Sequence, residues 1–377
     1  MSISLQNFEN SPAAAEFRSD TFTTPTATMV AALASASLGD SVYEEDANTT
    51  ALEHKVAALA GKDAGLYCVS GTLLNQIALR TNLHQPPHAV LCDHRAHVYI
   101  LEAGGLPTLS QALVQPVVPK NGVHLTLEDI LAHFVPDDGE IHGCPTKVIS
   151  LENTLHGMVF PLDEMRRISA FCKLHDVRLH LDGARLWNAS VATGVSVREY
   201  CSLFDSVSLC LSKTLGAPVG SVLVADRKFI RKANHFRKQS GGGIRQSGLL
   251  ALMASVAIDE NMAHLQRTHD IARDLGRYVE SLGYVLEHPV HTNFVFLDLK
   301  ATCIEPNVLY RTCFKHNVAV GGRRIAVHFQ ITDDAVVRLK KALAEVYAHS
   351  QENPFDHSTS VLELPQTTDF YKRVQQD

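Results

Sequence analysis

Short apolar runs of about five residues alternate along the chain with longer stretches of helical period, the signature of an α/β domain on a mostly parallel sheet. Residues 147–151 and 178–181 read as strands. Between them Leu162, Met165, Ile168 and Phe171 or Cys172 recur at steps of three and four, as one buried helix face requires, which predicts a β-α-β unit. Residues 206–211 and 220–224 are two more apolar runs, and the Gly and Pro within 213–218 predict a tight connection between them. Upstream, Leu52, Val56 and Leu59 form a helical stripe after Thr49 or Thr50, with Gly61 placed to end it in a left-handed cap; a further helix is expected to begin near Gly71. After residue 270 the pattern changes to a helix at 272–281, strand-like runs at 291–297, 317–320 and 325–329, and a last helix at 333–348, an α+β layout. The expected division is an N-terminal arm (1–20), a large domain (21–270), a smaller C-terminal domain (271–350) and a polar tail (351–377).

Composition narrows the function. Of 377 residues, 45% are hydrophobic and 20% charged, an ordinary globular mix with ample core volume. The net charge of -6 supplies no basic field to attract nucleic acid or an anionic membrane, so small molecules are the expected partners. The charge-free stretch 103–119 contains Pro107, Pro116 and Pro119 and does not make a membrane span, and the apolar run 246–258 is too short for one and reads as a buried helix. The N-terminus lacks the basic and apolar regions of a secretory signal, and eight scattered cysteines form no C-x-x-C pair. Buried thiols in a reducing compartment, the cytoplasm, are expected.

Candidate chemistry centres on Asp182, directly after the strand RLHL, and Lys213, in the turn after SVSLCL. A lysine ending an apolar strand is placed to form an imine, and a carboxylate on a neighbouring strand can keep a pyridinium nitrogen protonated; pyridoxal 5'-phosphate chemistry needs both. Taken singly, Asp182 reads as a helix cap and Lys213 as a solvated surface residue; together, each after its strand, they read as a cofactor site. Ser70, Gly71 and Thr72 offer a glycine for close backbone approach and the exposed N–H groups of a new helix as a phosphate cradle, although S-G-T is also an ordinary helix start. His97 in DHRAHVY could stack on the ring or shuttle a proton, and His156 in ENTLHG lies on the same sheet edge as Asp182. Arg185 and Arg324 could grip a substrate carboxylate through a bidentate guanidinium. The basic segment 228–245, ending in GGGIR, is the most concentrated positive cluster; it is read as a solvated helix face that turns Arg245 towards a phosphate or a neighbouring subunit, with anion or nucleic-acid binding as the alternative of a different class.

The motifs GDSVYEED, SGTLLNQIAL, DHRAHVYILEAGG, ISLENTLHG, HLDGARLWNA, DSVSLCLSKTLGAPVGSVLV and FRKQSGGGIRQSG together make the chain resemble the low-specificity L-threonine aldolases, most closely their fungal branch. These are pyridoxal-phosphate enzymes of the aspartate-aminotransferase-like fold (fold type I). The resemblance implies Lys213 as the Schiff-base lysine, Asp182 as partner of the ring nitrogen, His97 stacked on the ring, and Gly71 and Thr72 on the phosphate. It implies that Ser19, Arg185 and Arg324 hold the substrate carboxylate, that His156 lies near the β-hydroxyl, and that Tyr43 and Arg245 stand at a subunit interface of a homotetramer whose sites a neighbouring chain completes. The implied reaction is retro-aldol cleavage of L-threonine or L-allo-threonine to glycine and acetaldehyde, with an alanine racemase on the same scaffold as the alternative, since identical cofactor residues serve when the labile bond is Cα–H. Ser41 and Glu44 depart from the Asp and Gly that the family often carries there.

Overall fold

The computed structural model of the chain describes residues 11–357, so the first ten residues of the expected arm, and the tail beyond 357, lie outside the described residues. Seven strands form one sheet: β1 (Ala64–Cys68), β2 (Ala89–Asp93), β3 (Leu113–Val117), β4 (Thr146–Glu152), β5 (Arg178–Gly183), β6 (Ser206–Cys210) and β7 (Ser221–Ala225), in the order β1-β7-β6-β5-β4-β2-β3. All neighbours are parallel except β7, which runs antiparallel to both β1 and β6. Every residue of β2, β6 and β7 is buried, and a sheet covered on both faces accounts for strands that read as continuous apolar runs with no alternation. The expected β-α-β unit is β4, the helix Leu162–Leu174 and β5, with Met165, Ile168 and Cys172 buried. The tight connection follows β6, but its return strand is antiparallel. Gly220 enables that return: its φ is +112°, and a Cβ there would collide with the Tyr67 ring.

Helix boundaries show where local reading falls short. The helix Ala47–Ala60 ends on Gly61 at φ +65°, as expected, but its N-cap is Asp46, three residues before Thr49. The Asp46 carboxylate accepts from the Thr49 N–H at 2.8 Å and from its hydroxyl at 2.9 Å, and its charge also complements the helix dipole, which a threonine cap cannot do. The run 246–258 lies in the helix Gly248–Asn261, and 103–119 divides into the short helix Gly105–Leu109 and β3. Among the described residues, no helix is long and apolar enough to cross a membrane.

The chain separates into two compact units. One holds the sheet and spans residues 28–155 and 159–260. The other comprises the described residues up to Ala27, residues 156–158, and those from Asn261 onwards. In the latter, β8 (Phe294–Phe296) pairs antiparallel with β9 (Arg324–Ala326), and the helices Leu265–Leu282 and Asp333–Glu352 pack Leu275, Val279, Leu339 and Leu343 into a core with Val295. Residues 317–320 form no strand; Ala319 makes a single bridge with Glu16. Six of the eight cysteines are buried, Cys144 is half-buried and Cys303 is exposed.

Candidate active site

Register places Asp182 of β5 level with Glu152 of β4, at the carboxyl ends of two parallel strands where open α/β sheets hold their ligands, and with Ser208 midway along β6. Asp182 is buried. Its Oδ1 accepts from the Ala184 N–H at 3.0 Å and its Oδ2 from the Asn75 amide at 2.7 Å. The same Asn75 Nδ2 donates to Glu102 at 2.8 Å, Gln76 Nε2 donates to the other Glu102 oxygen at 2.5 Å, and His97 Nδ1 lies 2.7 Å from Glu102. One side-chain amide therefore links the carboxylate expected beneath a ring nitrogen to the carboxylate that orients His97.

The amide's orientation is fixed from behind. Burial pushes the His180 imidazole down to about 4 against the pull of Asp182, so it is neutral at physiological pH and carries one N–H. Its Nε2 lies 3.2 Å from Asn75 Oδ1, which can only accept, so the proton is on Nε2. His180 Nδ1, 2.9 Å from Ser206 Oγ, must then accept, and Ser206 in turn accepts from Asn82 Nδ2 at 3.0 Å. Hydrogen bonding runs one way, from Asn82 through Ser206, His180 and Asn75 to Asp182 and Glu102, and every step is buried.

Burial disfavours the His97 cation, but its bond to Glu102 and the charges of Asp182 and Glu152 outweigh this, and its pKa stands above the ordinary histidine value despite the Lys213 ammonium. Burial and Asp182 raise Glu152 above the usual carboxylate range, and Glu152 accepts from the His97 backbone N–H at 2.9 Å. Lys213 is half-buried and its charge bears on both His97 and Glu152, so the structure gathers Lys213, His97 and Asp182 at one sheet edge. Its turn is held by the Gly216 N–H to Lys213 C=O bond and by Asn188 Nδ2 donating to Thr214 Oγ1 at 2.6 Å. Ser70 caps the helix Gly71–Asn82 by accepting from the Leu73 N–H, leaving the N–H groups of Gly71 and Thr72 at the helix mouth. A Cβ on Gly71 would meet only Ser221 Oγ, at 3.9 Å, and that buried hydroxyl has no hydrogen-bond partner among the described residues. Arg185 is buried at the start of the helix Leu186–Thr193.

Tyr43 ends a short turn and is 71% exposed. That turn is tied to Arg245: the Ser41 N–H donates to the Arg245 C=O at 2.9 Å, and Arg245 Nη1 donates to Asp40 at 2.7 Å. The basic segment forms the helix Arg227–Gln239, but Arg237 is not part of its solvated face; it is buried and donates to the Tyr67 C=O at 2.8 Å.

Ser19, His156 and Arg324 belong to the other unit. Arg324 on β9 is buried, donates to the Arg18 C=O at 3.0 Å and lies over the Phe294 ring, so it stands beside Ser19, which is also buried. His156 has φ +50°, a left-handed conformation that non-glycine residues seldom take, and its ring stacks on Phe296 at 5.2 Å.

Sequence reading missed Asn75, Gln76, Glu102, Glu152 and His180. Two had a local signal: Asn75 lies one helical turn after Gly71, and Glu102 follows His97 by five residues within one motif.

Comparison with known proteins agrees with this geometry. Residues 16–302 match the family model described as beta-eliminating lyase. The chain is 59% identical over 344 residues to a low-specificity L-threonine aldolase of Candida albicans, covering 90% of this chain and 91% of the relative. It is 56% identical over 345 residues to that of Saccharomyces cerevisiae, covering 91% and 89%. Among solved structures, a Leishmania major threonine aldolase superposes with TM-score 0.74 at 20% identity, covering 88% of this chain and 99% of that one, and shows the same fold. A large domain with a mostly parallel sheet flanked by helices, the aspartate-aminotransferase-like class expected from the motifs, is thus observed directly and in this neighbour. On both grounds the chain belongs to the beta-eliminating lyases and, within them, to the low-specificity L-threonine aldolases.

Proposed function

We propose that this protein is a pyridoxal 5'-phosphate-dependent lyase that cleaves β-hydroxy-α-amino acids, L-threonine and L-allo-threonine among them, to glycine and an aldehyde. The observation that carries this reading is the network of half-buried His97 with buried Glu102, Asn75 and Asp182 at the carboxyl end of β5. The residues fit the cofactor: the open space at Gly71 beside the unpartnered Ser221 hydroxyl suits a phosphate, and Asp182, held by two donors, suits a protonated ring nitrogen. Gly71 and Thr72 would hold the phosphate with Arg245, Asp182 the nitrogen, His97 the ring and Lys213 the carbonyl carbon. When bound, pyridoxal phosphate supplies a pyridinium ring that withdraws the electron pair of a broken Cα–Cβ bond.

The chain's own residues decide which bond breaks. Ser19, Arg185 and Arg324 are assigned to the substrate carboxylate, and Tyr43 to the substrate side of the site. We assign the β-hydroxyl proton to His156. His97 already directs a proton at Glu102 and its raised pKa favours the cation, so it is the poorer acceptor at neutral pH. The partner is a small amino acid. A homotetramer is favoured by the exposure of Tyr43 and Arg245, and a cytoplasmic location by the buried free thiols.

The test is purified protein given mixed threonine isomers. Glycine and acetaldehyde should appear in equal amounts, and Lys213→Ala should abolish both their release and the visible absorbance of the bound cofactor. Interconversion of alanine enantiomers without aldehyde would replace the lyase reading by the racemase one.

A further inference from the structure

His156 does not stand alone in its unit. His288 faces it, with His156 Nδ1 3.4 Å from His288 Nε2 and the ring centroids 5.4 Å apart. Both imidazoles rest on Phe296, His156 stacked at 22° and His288 edge-on at 66°. Phe296 is buried and is braced by Phe294, also at an edge-to-face angle. The backbone beside His156 is held as well: Thr292 Oγ1 donates to the Gly157 C=O at 2.6 Å, and a Cβ on Gly157 would press on Phe294. A left-handed φ at a histidine persists only when its surroundings fix it, and these contacts do so.

We infer that His288 is a positioning residue for His156, accepting the His156 Nδ1–H so that Nε2 is the basic nitrogen, and that the two imidazoles share a single proton charge. The inference rests on the reading that His156 takes the β-hydroxyl proton. Two nitrogens in contact cannot both carry hydrogens directed at each other, so one of them donates. With Nδ1–H committed to His288, Nε2 of His156 holds the lone pair. When the β-hydroxyl proton moves to Nε2, His156 becomes the cation while its Nδ1–H remains donated to a neutral His288, which stabilises the charge. A cationic His288 would lack the lone pair needed to accept and would repel that charge, so the pair takes up its second proton only at lower pH. The other charged groups near His288 are Arg273, Arg277, Glu280 and Glu287, which line a surface cavity with it, and Arg323, paired to Glu287 at 2.5 Å.

The test follows C2–H exchange of individual histidines by mass spectrometry across pH, on the holoenzyme and on His288→Leu and His288→Gln, alongside threonine cleavage. In the wild type, His156 and His288 should titrate in two steps separated by more than about one pH unit. In His288→Leu, the His156 titration should collapse to one shifted step, and kcat should fall about tenfold with KM within about twofold, the scale of one lost orienting hydrogen bond. His288→Gln, whose amide oxygen can still accept, should recover most of kcat. Independent titration of the two histidines, with the His156 step unmoved by His288→Leu, overturns the inference. The exchange measurement needs no turnover, so absence of aldehyde from the wild type would count against the lyase reading separately. Should His288→Leu fail to fold, the wild-type and His288→Gln titrations decide the matter.

Discussion

The network around Asp182 depends on an amide and two imidazoles, His97 and His180, whose protonation is dictated by neighbours, and the clearest case is the bond between His97 and Glu102. Because the folded pKa of His97 is raised above its ordinary value, the bond adds stability that is fully present below about pH 6.5 and is lost as pH rises through the raised value. Glu102→Gln removes the anion but keeps an acceptor and most of the volume. Its destabilisation, measured by urea unfolding, should therefore be larger by about 1 kcal/mol near pH 5 than near pH 9; an equal penalty at both would show that the carboxylate does not set the protonation of His97. Asp182 and Lys213 stood out in the sequence as candidates because each follows an apolar run, although β5 extends through Asp182 and Lys213 lies in the turn three residues beyond β6. His180 did not stand out, since a polar residue within a strand has no sequence mark until its partner is known, and for Asn75 the turn after Gly71 gave its place on the helix but not its bond to Asp182, 107 residues away.

Elements were legible wherever their chemistry is local. The stripe of the helix Leu162–Leu174 and the Gly61 cap follow from neighbours three and four residues apart, whereas the antiparallel direction of β7 follows from the Gly220 turn packing on Tyr67 of β1, a contact across more than 150 residues. That edge of the sheet carries an unusual load. Glu53 of the helix Ala47–Ala60 accepts from the Tyr67 N–H at 2.8 Å, and burial raises its carboxyl to about 7 against the pull of Arg237. Ionising Glu53 is thus harder folded than unfolded, so its contribution is largest below about pH 4.5 and falls as pH rises to about 7. Glu53→Gln keeps the acceptor for Tyr67 and removes the titration. Near pH 8 the variant should be more stable by about 2 kcal/mol, and the gain should vanish near pH 4.5. A thermal-melting difference independent of pH would show that the carboxyl is better solvated than its setting implies.

For the whole molecule, the informative residues are those a single chain leaves exposed. The motifs GDSVYEED and GGGIRQSG lie about two hundred residues apart, yet Ser41 donates to the backbone carbonyls of both Ile244 and Arg245. This joint carries Tyr43 at 71% exposure and an Arg245 side chain at 59% exposure, ion-paired with Asp40. A surface ion pair contributes little to stability, so the Arg245–Asp40 pair is not expected to hold the fold. The proposed homotetramer with shared sites gives a quantitative consequence. If Arg245 of one subunit completes the phosphate site of its neighbour, Lys213→Ala and Arg245→Ala subunits are each inactive alone but complementary when mixed. Random reassortment makes half of the pairs hybrid, and each hybrid pair holds one intact site of two, so about a quarter of the wild-type activity should return. Mixing after reversible dissociation, with sedimentation to verify a mass about four times the 41.3 kDa chain, checks this. Activity that stays at the level of the separate variants would place Arg245 within its own subunit's site or outside the site altogether.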